Sequence, residues 1–195
     1  MSPSGVVLYG PPGSGKDTIT AELSNLRTEF VLFQRLKAGP GRTTGYRTTT
    51  AEQIEALAQA GEILYRNNRY DAEYAIDLGQ VSALVDSGRI PVLHMGQVDG
   101  VRAVAAYPIQ WVRVLLWCPE DVTRQRCQGR GDKDLDARLK VWHETRQDLL
   151  QHDAEPWSRV IRTDQLSAAE AAQAIDEARL ASAPAEVRDI RGLLG

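Results

Sequence analysis

Cysteine is scarce in this 195-residue chain, where Cys118 and Cys127 are the only two. Two thiols cannot build a disulfide scaffold, and no Cys-His grouping suggests zinc, so both read as buried or incidental. No apolar run approaches the ~20 residues that a membrane-spanning helix requires. The opening Met1-Ser2-Pro3-Ser4-Gly5 carries neither the basic region nor the apolar core of a secretory signal. A soluble, cytoplasmic protein is therefore the expectation. Net charge is also small: 23 basic and 26 acidic residues leave −3. That balance argues against nucleic acid and membrane surfaces as partners, so any anion must be held by local arginines and backbone amides. No internal repeat is visible, and the length suits one domain with a sizeable core.

What the sequence does contain is Gly10-Pro11-Pro12-Gly13-Ser14-Gly15-Lys16-Asp17. It follows the apolar run Val6-Val7-Leu8-Tyr9 and precedes Ile19, Leu23 and Leu26 at helical spacing. Strand, glycine-rich loop, lysine and helix is the order that wraps backbone N–H groups around the phosphates of a nucleotide. An ordinary glycine-rich turn capping a helix is the plainer alternative. On the nucleotide reading, Gly10 to Thr18 bind ATP and Lys16 reaches its β- and γ-phosphates. Asp17 stands where a Ser or Thr usually ligates magnesium. Its carboxylate suits Mg²⁺ as a hard oxygen ligand, or it answers the helix dipole; Thr18 adds a hydroxyl.

Short apolar runs alternate with helical stretches along the chain, which predicts an α/β fold with a mostly parallel sheet flanked by helices. Strands are expected at Val6–Tyr9, Phe30–Phe33, Ile90–His94, Trp111–Trp117 and Arg159–Arg162, with an extended piece at Glu62–Tyr65. Helices are expected at Lys16–Leu26, Ala51–Ala60, Tyr74–Ser87 and Val98–Ala106, after Pro119, and along Leu135, Leu139, Trp142 and Leu149. Ser167 and Glu170 form a capping box for a final helix. Gln34 to Thr50 is polar, with Arg35, Lys37, Arg42 and Arg47 among glycines and threonines. Those cations either solubilise a loop or gather phosphate at the sheet edge. Trp111, Trp117, Trp142 and Trp157 read as packing residues. The tail from Ala181 to Gly195 has weak periodicity and reads as a loose end or a contact arm.

Over residues 5 to 180 the chain resembles the guanylate kinase family of nucleoside monophosphate kinases. The resemblance rests on Gly10–Lys16, on Tyr46-Arg47-Thr-Thr-Thr-Ala-Glu52, on Gly88-Arg-Ile-Pro-Val-Leu and Gln97-Val-Asp-Gly100. It extends to Arg124-Gln-Arg126-Cys-Gln-Gly129-Arg130-Gly131-Asp132, Asp136-Ala-Arg138-Leu139 and Ile161-Arg-Thr-Asp164. It implies a P-loop kinase domain over 1–180, with an acceptor-binding insert at about 34–75, a lid at about 128–136, and a tail from 181 to 195. It further implies an ATP- and Mg²⁺-dependent transferase acting on a small phosphorylated acceptor, and it leaves room for a homodimer. Lys16, Arg130 and Arg138 would be catalytic, and Arg126 would join the loop in binding ATP. Arg35, Lys37, Arg42, Tyr46 and Tyr74 would hold the acceptor, and Glu62 would read a guanine edge.

Two departures widen the choice of acceptor. The family ends its pocket strand with Leu-Asp-Ile-Asp, whereas this chain has Leu93-His94-Met95-Gly96. His94 is then either a satisfied core histidine or a substrate contact. Gly-Lys-Asp resembles the ribose 1,5-bisphosphate phosphokinases, which share the guanylate kinase fold. A GMP-like monophosphate is the first reading of the acceptor and a pentose phosphate the second; a non-catalytic guanylate kinase-like binding module is the rival class.

Overall fold

Val6, Val7, Leu8 and Tyr9 are apolar on both faces, a pattern that only a strand covered on both sides can bury. The computed structural model describes residues 3–41, 43–69, 71–129, 134–181, 186–187 and 189–194. In it these four side chains are fully enclosed within β1 (Ser4–Tyr9). α1 (Lys16–Leu26) and β2 (Phe30–Leu32) follow, then β3 (Arg35–Ala38), β4 (Tyr46–Thr48) and α2 (Ala51–Gln59). β5 (Ile63–Arg69), β6 (Ala72–Asp77), α3 (Leu78–Asp86), β7 (Ile90–Met95) and α4 (Val98–Ala105) form the middle of the chain. β8 (Gln110–Trp117), α5 (Glu120–Gly129), α6 (Leu135–Gln151), β9 (Arg159–Arg162), α7 (Ala168–Leu180) and α8 (Arg191–Leu194) complete it. No helix among the described residues is long and apolar enough to cross a membrane.

Five strands form a parallel sheet in the order β2-β7-β1-β8-β9. Because successive side chains of a strand point to opposite faces, β1 feeds two separate cores. Val6 and Leu8 pack with Ile19 and Leu23 of α1 and Ala171 and Ile175 of α7. Val7 and Tyr9 pack on the other face with Val98, Trp142, Leu149 and Trp157. All four tryptophans are buried, as are both free cysteines. α7 begins at the expected capping box, with Ser167 Oγ accepting from Glu170 N–H and the Glu170 carboxylate accepting from Ser167 N–H.

A second sheet, β4-β3-β6-β5, is mostly antiparallel, with only β3 and β4 parallel. Here the sequence misled. Tyr74 to Asp77 is strand, not the first turn of a helix, because it pairs with both β3 and β5. The helix starts at Leu78, where the Asp77 carboxylate accepts from Gln80 N–H. The polar interval from Gln34 to Thr50 likewise contains β3 and β4, and β5 runs on to Arg69, beyond the Tyr65 expected. At the C-terminus, Ile190 and Leu194 are buried in the core that holds Val7 and Tyr9, and Val187 pairs with Trp157. Those residues behave as a contact arm rather than a loose end.

The end of β1 is fixed by a buried polar contact. Tyr9 Oη donates to Asp148 Oδ2 at 2.7 Å, and Val98 N–H donates to the same oxygen at 2.9 Å. Burial first, then the Asp148 charge, holds the Tyr9 phenol far above its ordinary pKa, so it stays a donor. Replacing Asp148 with Ala would leave Val98 N–H without its acceptor and Tyr9 Oη with only a longer contact, 3.3 Å, to Thr145 O. Asp148→Ala is expected to lower stability by about 2–4 kcal/mol, and Asp148→Asn, which keeps one acceptor oxygen, by clearly less. Urea unfolding followed by tryptophan fluorescence measures both.

Candidate active site

β1 ends at Tyr9 and α1 begins at Lys16, so residues 10–15 must reverse direction in six residues at the carboxyl end of the sheet. A Cβ on Gly10 would lie 2.3 Å from the Leu116 carbonyl oxygen, which leaves glycine the fitting residue there. Gly15 caps α1 at φ 85°, a left-handed conformation that costs glycine little. No side chain caps the first turn of α1, which leaves its first amides without a side-chain acceptor at a helix end that favours anions. The Lys16 ammonium arches over the loop, donating to Gly10 O at 2.6 Å, Pro11 O at 2.9 Å and Ser14 Oγ at 3.3 Å. α5 and the end of β9 brace the loop from behind. Thr123 Oγ1 donates to Pro12 O, while Arg126 donates to Gly13 O at 2.9 Å and to Thr163 O at 2.6 Å.

Parallel pairing of β1 with β7 sets His94 beside the start of α1. Thr20 Oγ1 donates its one hydrogen to Lys16 O at 2.8 Å, so its 2.8 Å contact with His94 Nε2 makes that ring nitrogen the donor. Nδ1 is left as the acceptor, 3.7 Å from Asp17 Oδ1. Burial, and then the Lys16 ammonium, push the His94 imidazole down to about 4; Asp17 opposes this and Arg35 adds to it.

The far end of the cleft is built on the second sheet. Arg35 lies 5.0 Å over the Tyr74 ring, and Tyr74 and Tyr46 meet at 5.3 Å between centroids. Arg47, one residue beyond Tyr46, is tied to the Asp77 carboxylate and to Gln34 O, which fixes β4 in place. Together the loop, His94 and these residues enclose a cleft of about 560 Å³. Of the residues anticipated from sequence, Gly10, Pro12 to Thr18, Arg35, Tyr46, Tyr74, His94 and Arg138 line it.

Four anticipated residues within the described chain do not line the cleft. Pro11 contributes its carbonyl to Lys16 instead. Lys37 is buried, and its ammonium donates to Gly39 O and Pro40 O, closing the turn after β3. Glu62 is exposed between α2 and β5, where its carbonyl accepts from Leu78 N–H. Arg126 acts as the brace described above. Arg42 and Arg130 lie outside the described residues.

Sequence reasoning missed a second set of lining residues: Tyr65, Asn67 and Arg69 of β5, with Gln97 opposite. Tyr65 Oη donates to Gln97 Oε1 at 2.8 Å and Asn67 Nδ2 to the same atom at 3.1 Å, while Asn67 Oδ1 is buried without a donor. Arg69 pairs with Glu144 at 3.2 Å. Their only sequence signal was a period of two, 65, 67 and 69 sharing one face of a strand. Among the described lining residues four are cations, Lys16, Arg35, Arg69 and Arg138, against the single carboxylate of Asp17.

No family model matches the chain, and a search of curated proteins returns no match. Among solved structures it is similar to a guanylate kinase from Anaplasma phagocytophilum, with a TM-score of 0.65 at 17% identity over 99% of this chain and 94% of that one. A shikimate kinase from Acinetobacter baumannii, in complex with shikimate, aligns at a TM-score of 0.47 and 16% identity over 92% and 94%. The likeness to the guanylate kinase is one of fold: this chain is an α/β protein with the P-loop kinase architecture anticipated from its sequence.

The depressed His94 pKa has a consequence for stability. Between pH 6.5 and about 4 the unfolded imidazole binds a proton that the folded one refuses. Stability therefore falls as pH drops through that window, by up to about 1.4 kcal/mol per pH unit from this group, and is flat above it. His94→Asn should remove that part of the slope in urea unfolding measured from pH 4.5 to 7.5.

Proposed function

We propose that this protein is an ATP-dependent phosphotransferase acting on a small phosphorylated acceptor. The observation that carries the reading is one continuous cleft with a glycine-rich anion loop and Lys16 at one end and an Arg35, Tyr46 and Tyr74 cluster at the other. The loop amides and Lys16 hold the triphosphate. Arg138, reaching in from α6, neutralises charge on the transferred group, and by sequence Arg130 joins it from a short lid. Arg35, with Tyr46 and Tyr74, grips the acceptor phosphate, since a guanidinium fork matches phosphate oxygens in pairs. The stretch at 34–75 would then be the acceptor-binding insert.

In the transfer, an acceptor phosphate oxygen bonds to the γ-phosphorus as the bond to the β,γ-bridging oxygen breaks, and ADP leaves. Such an oxygen is already ionised and needs no general base. A cleft with four cations, one carboxylate and a neutral histidine suits that chemistry, where catalysis is mostly positioning and charge stabilisation. The carboxylate of Asp17 and the hydroxyl of Thr18 are oxygen donors of the kind Mg²⁺ takes, and both line the cleft. A divalent ion there would offset triphosphate charge.

For the acceptor, the Tyr46–Tyr74 pair supports a nucleoside monophosphate. A phosphorylated pentose is favoured by a separate observation: Glu62 lies outside the cleft, and Arg69 adds a second cation at the acceptor end. ADP release should be stimulated by GMP, another monophosphate or ribose 1,5-bisphosphate, and the best of these names the class. Lys16→Ala should lower kcat/KM by about 10²–10³, and Arg35→Ala should raise the acceptor KM by about tenfold or more with ATP binding intact. ATP binding that no acceptor converts to turnover would instead identify a nucleotide-binding module.

A further inference from the structure

Two unusual residues of this chain meet at one point. Asp17 follows the loop lysine on α1, and His94 is the penultimate residue of the neighbouring strand β7, with Oδ1 and Nδ1 3.7 Å apart at the wall of the cleft. We infer that His94 Nδ1 and Asp17 Oδ1 are joint ligands of the divalent cation that accompanies the nucleotide, and that this nitrogen–oxygen pair favours Mn²⁺ over Mg²⁺. The inference rests on the nucleotide reading of the loop and goes beyond it in assigning His94 to the metal and in naming the class of metal.

Three observations carry it. First, the ring is preset for ligation: Nε2 donates to Thr20 Oγ1, whose own hydrogen is taken by Lys16 O, so the lone pair sits on Nδ1. Ligating histidines almost always donate their other ring N–H in this way, which fixes tautomer and orientation. Second, the spacing is close to what one ion needs. Neighbouring ligands at bond lengths of ~2.1 Å lie about 3 Å apart, and the Asp17 side chain, 71% exposed, can rotate to close the difference. Third, the donor set has changed character. Mg²⁺ takes oxygen ligands, whereas imidazole suits transition ions, and here a carboxylate at 17 and an imidazole at 94 supply one anionic oxygen and one nitrogen.

Two protein ligands do not hold an ion by themselves, and among the described residues no cluster of three His, Cys, Asp or Glu side chains could. The remaining positions fall to phosphate oxygens and water. Tight metal binding is therefore expected only with nucleotide present.

The test uses the full chain with a non-hydrolysable ATP analogue and Mn²⁺ as the probe. Pulsed electron paramagnetic resonance of the ternary complex should show coupling to one imidazole nitrogen, altered by ¹⁵N-histidine labelling. Mn²⁺ should outcompete Mg²⁺ by at least about tenfold more than it does on the free analogue. In His94→Asn the nitrogen coupling should vanish and the preference fall to that of the free analogue. Thr20→Val, which frees the ring while keeping its volume, should weaken Mn²⁺ binding by about 10–100-fold. Analogue binding with excess EDTA is measured first. If the wild type binds the analogue yet shows no imidazole coupling, or if His94→Asn leaves the metal preference unchanged, the ligand assignment is wrong while the nucleotide reading stands. If the wild type does not bind the analogue at all, the nucleotide reading fails and the ligand assignment falls with it.

Discussion

Parallel pairing of β1 with its neighbours β7 and β8 is the constraint on which the rest of this molecule depends. Parallel strands deliver all their carboxyl ends to one edge, and in an open α/β sheet that edge is where ligands gather. Here the arrangement sets the Gly10 loop at the end of β1, His94 near the end of β7 and Cys118 just past β8, side by side. Lys16 and Asp17 at the start of α1 are positioned by that edge, while Arg35 and Arg69 reach the cleft from the second sheet. β1 itself is held by apolar packing on both faces, with Val6 and Leu8 in one core and Val7 and Tyr9 in the other.

Polar contacts then hold the loop itself at that edge. Asp148 secures Tyr9, the residue immediately before the loop, and at the same time anchors the first amide of α4. Arg126 and Thr123 of α5 hold the loop carbonyls on the outside. These contacts turn the carbonyls outward or toward Lys16, which is what an anion site needs: amides inward, few competing acceptors. Because α5 and α6 flank the segment at 130–133, the same helices that brace the loop also carry the arginines Arg126 and Arg138.

The second sheet follows a different logic. It is small, mostly antiparallel and half polar, and its own core is little more than Leu36, Ala38, Ile54 and Ala75. Its side chains facing the cleft are aromatic or cationic except for Asn67, with Arg35 stacked on Tyr74 and Tyr46 against it. A sheet with so little apolar content gives a weak sequence signal. β3 and β4 were hidden in a polar interval for that reason, and β6 was absorbed into the helix that follows it because Asp77 ends one element and caps the next.

The elements that could be read from the chain alone are those whose energetics are local. The loop from Gly10 to Lys16 announces itself through glycines that only particular backbone angles require, and the Ser167–Glu170 box through hydrogen bonds spanning three residues. Buried parallel strands were legible too, since continuous apolar runs have no other stable environment. What tertiary structure alone decided is which polar groups meet. Lys37 shares a strand face with Arg35, yet its ammonium is drawn to the carbonyls of the turn after β3, and Glu62 sits just before β5 begins. Tyr65, Asn67 and Arg69 line the cleft because they alternate along β5 on one face. The Asp17–His94 pair, 77 residues apart in sequence, exists only because two parallel strands bring their ends together.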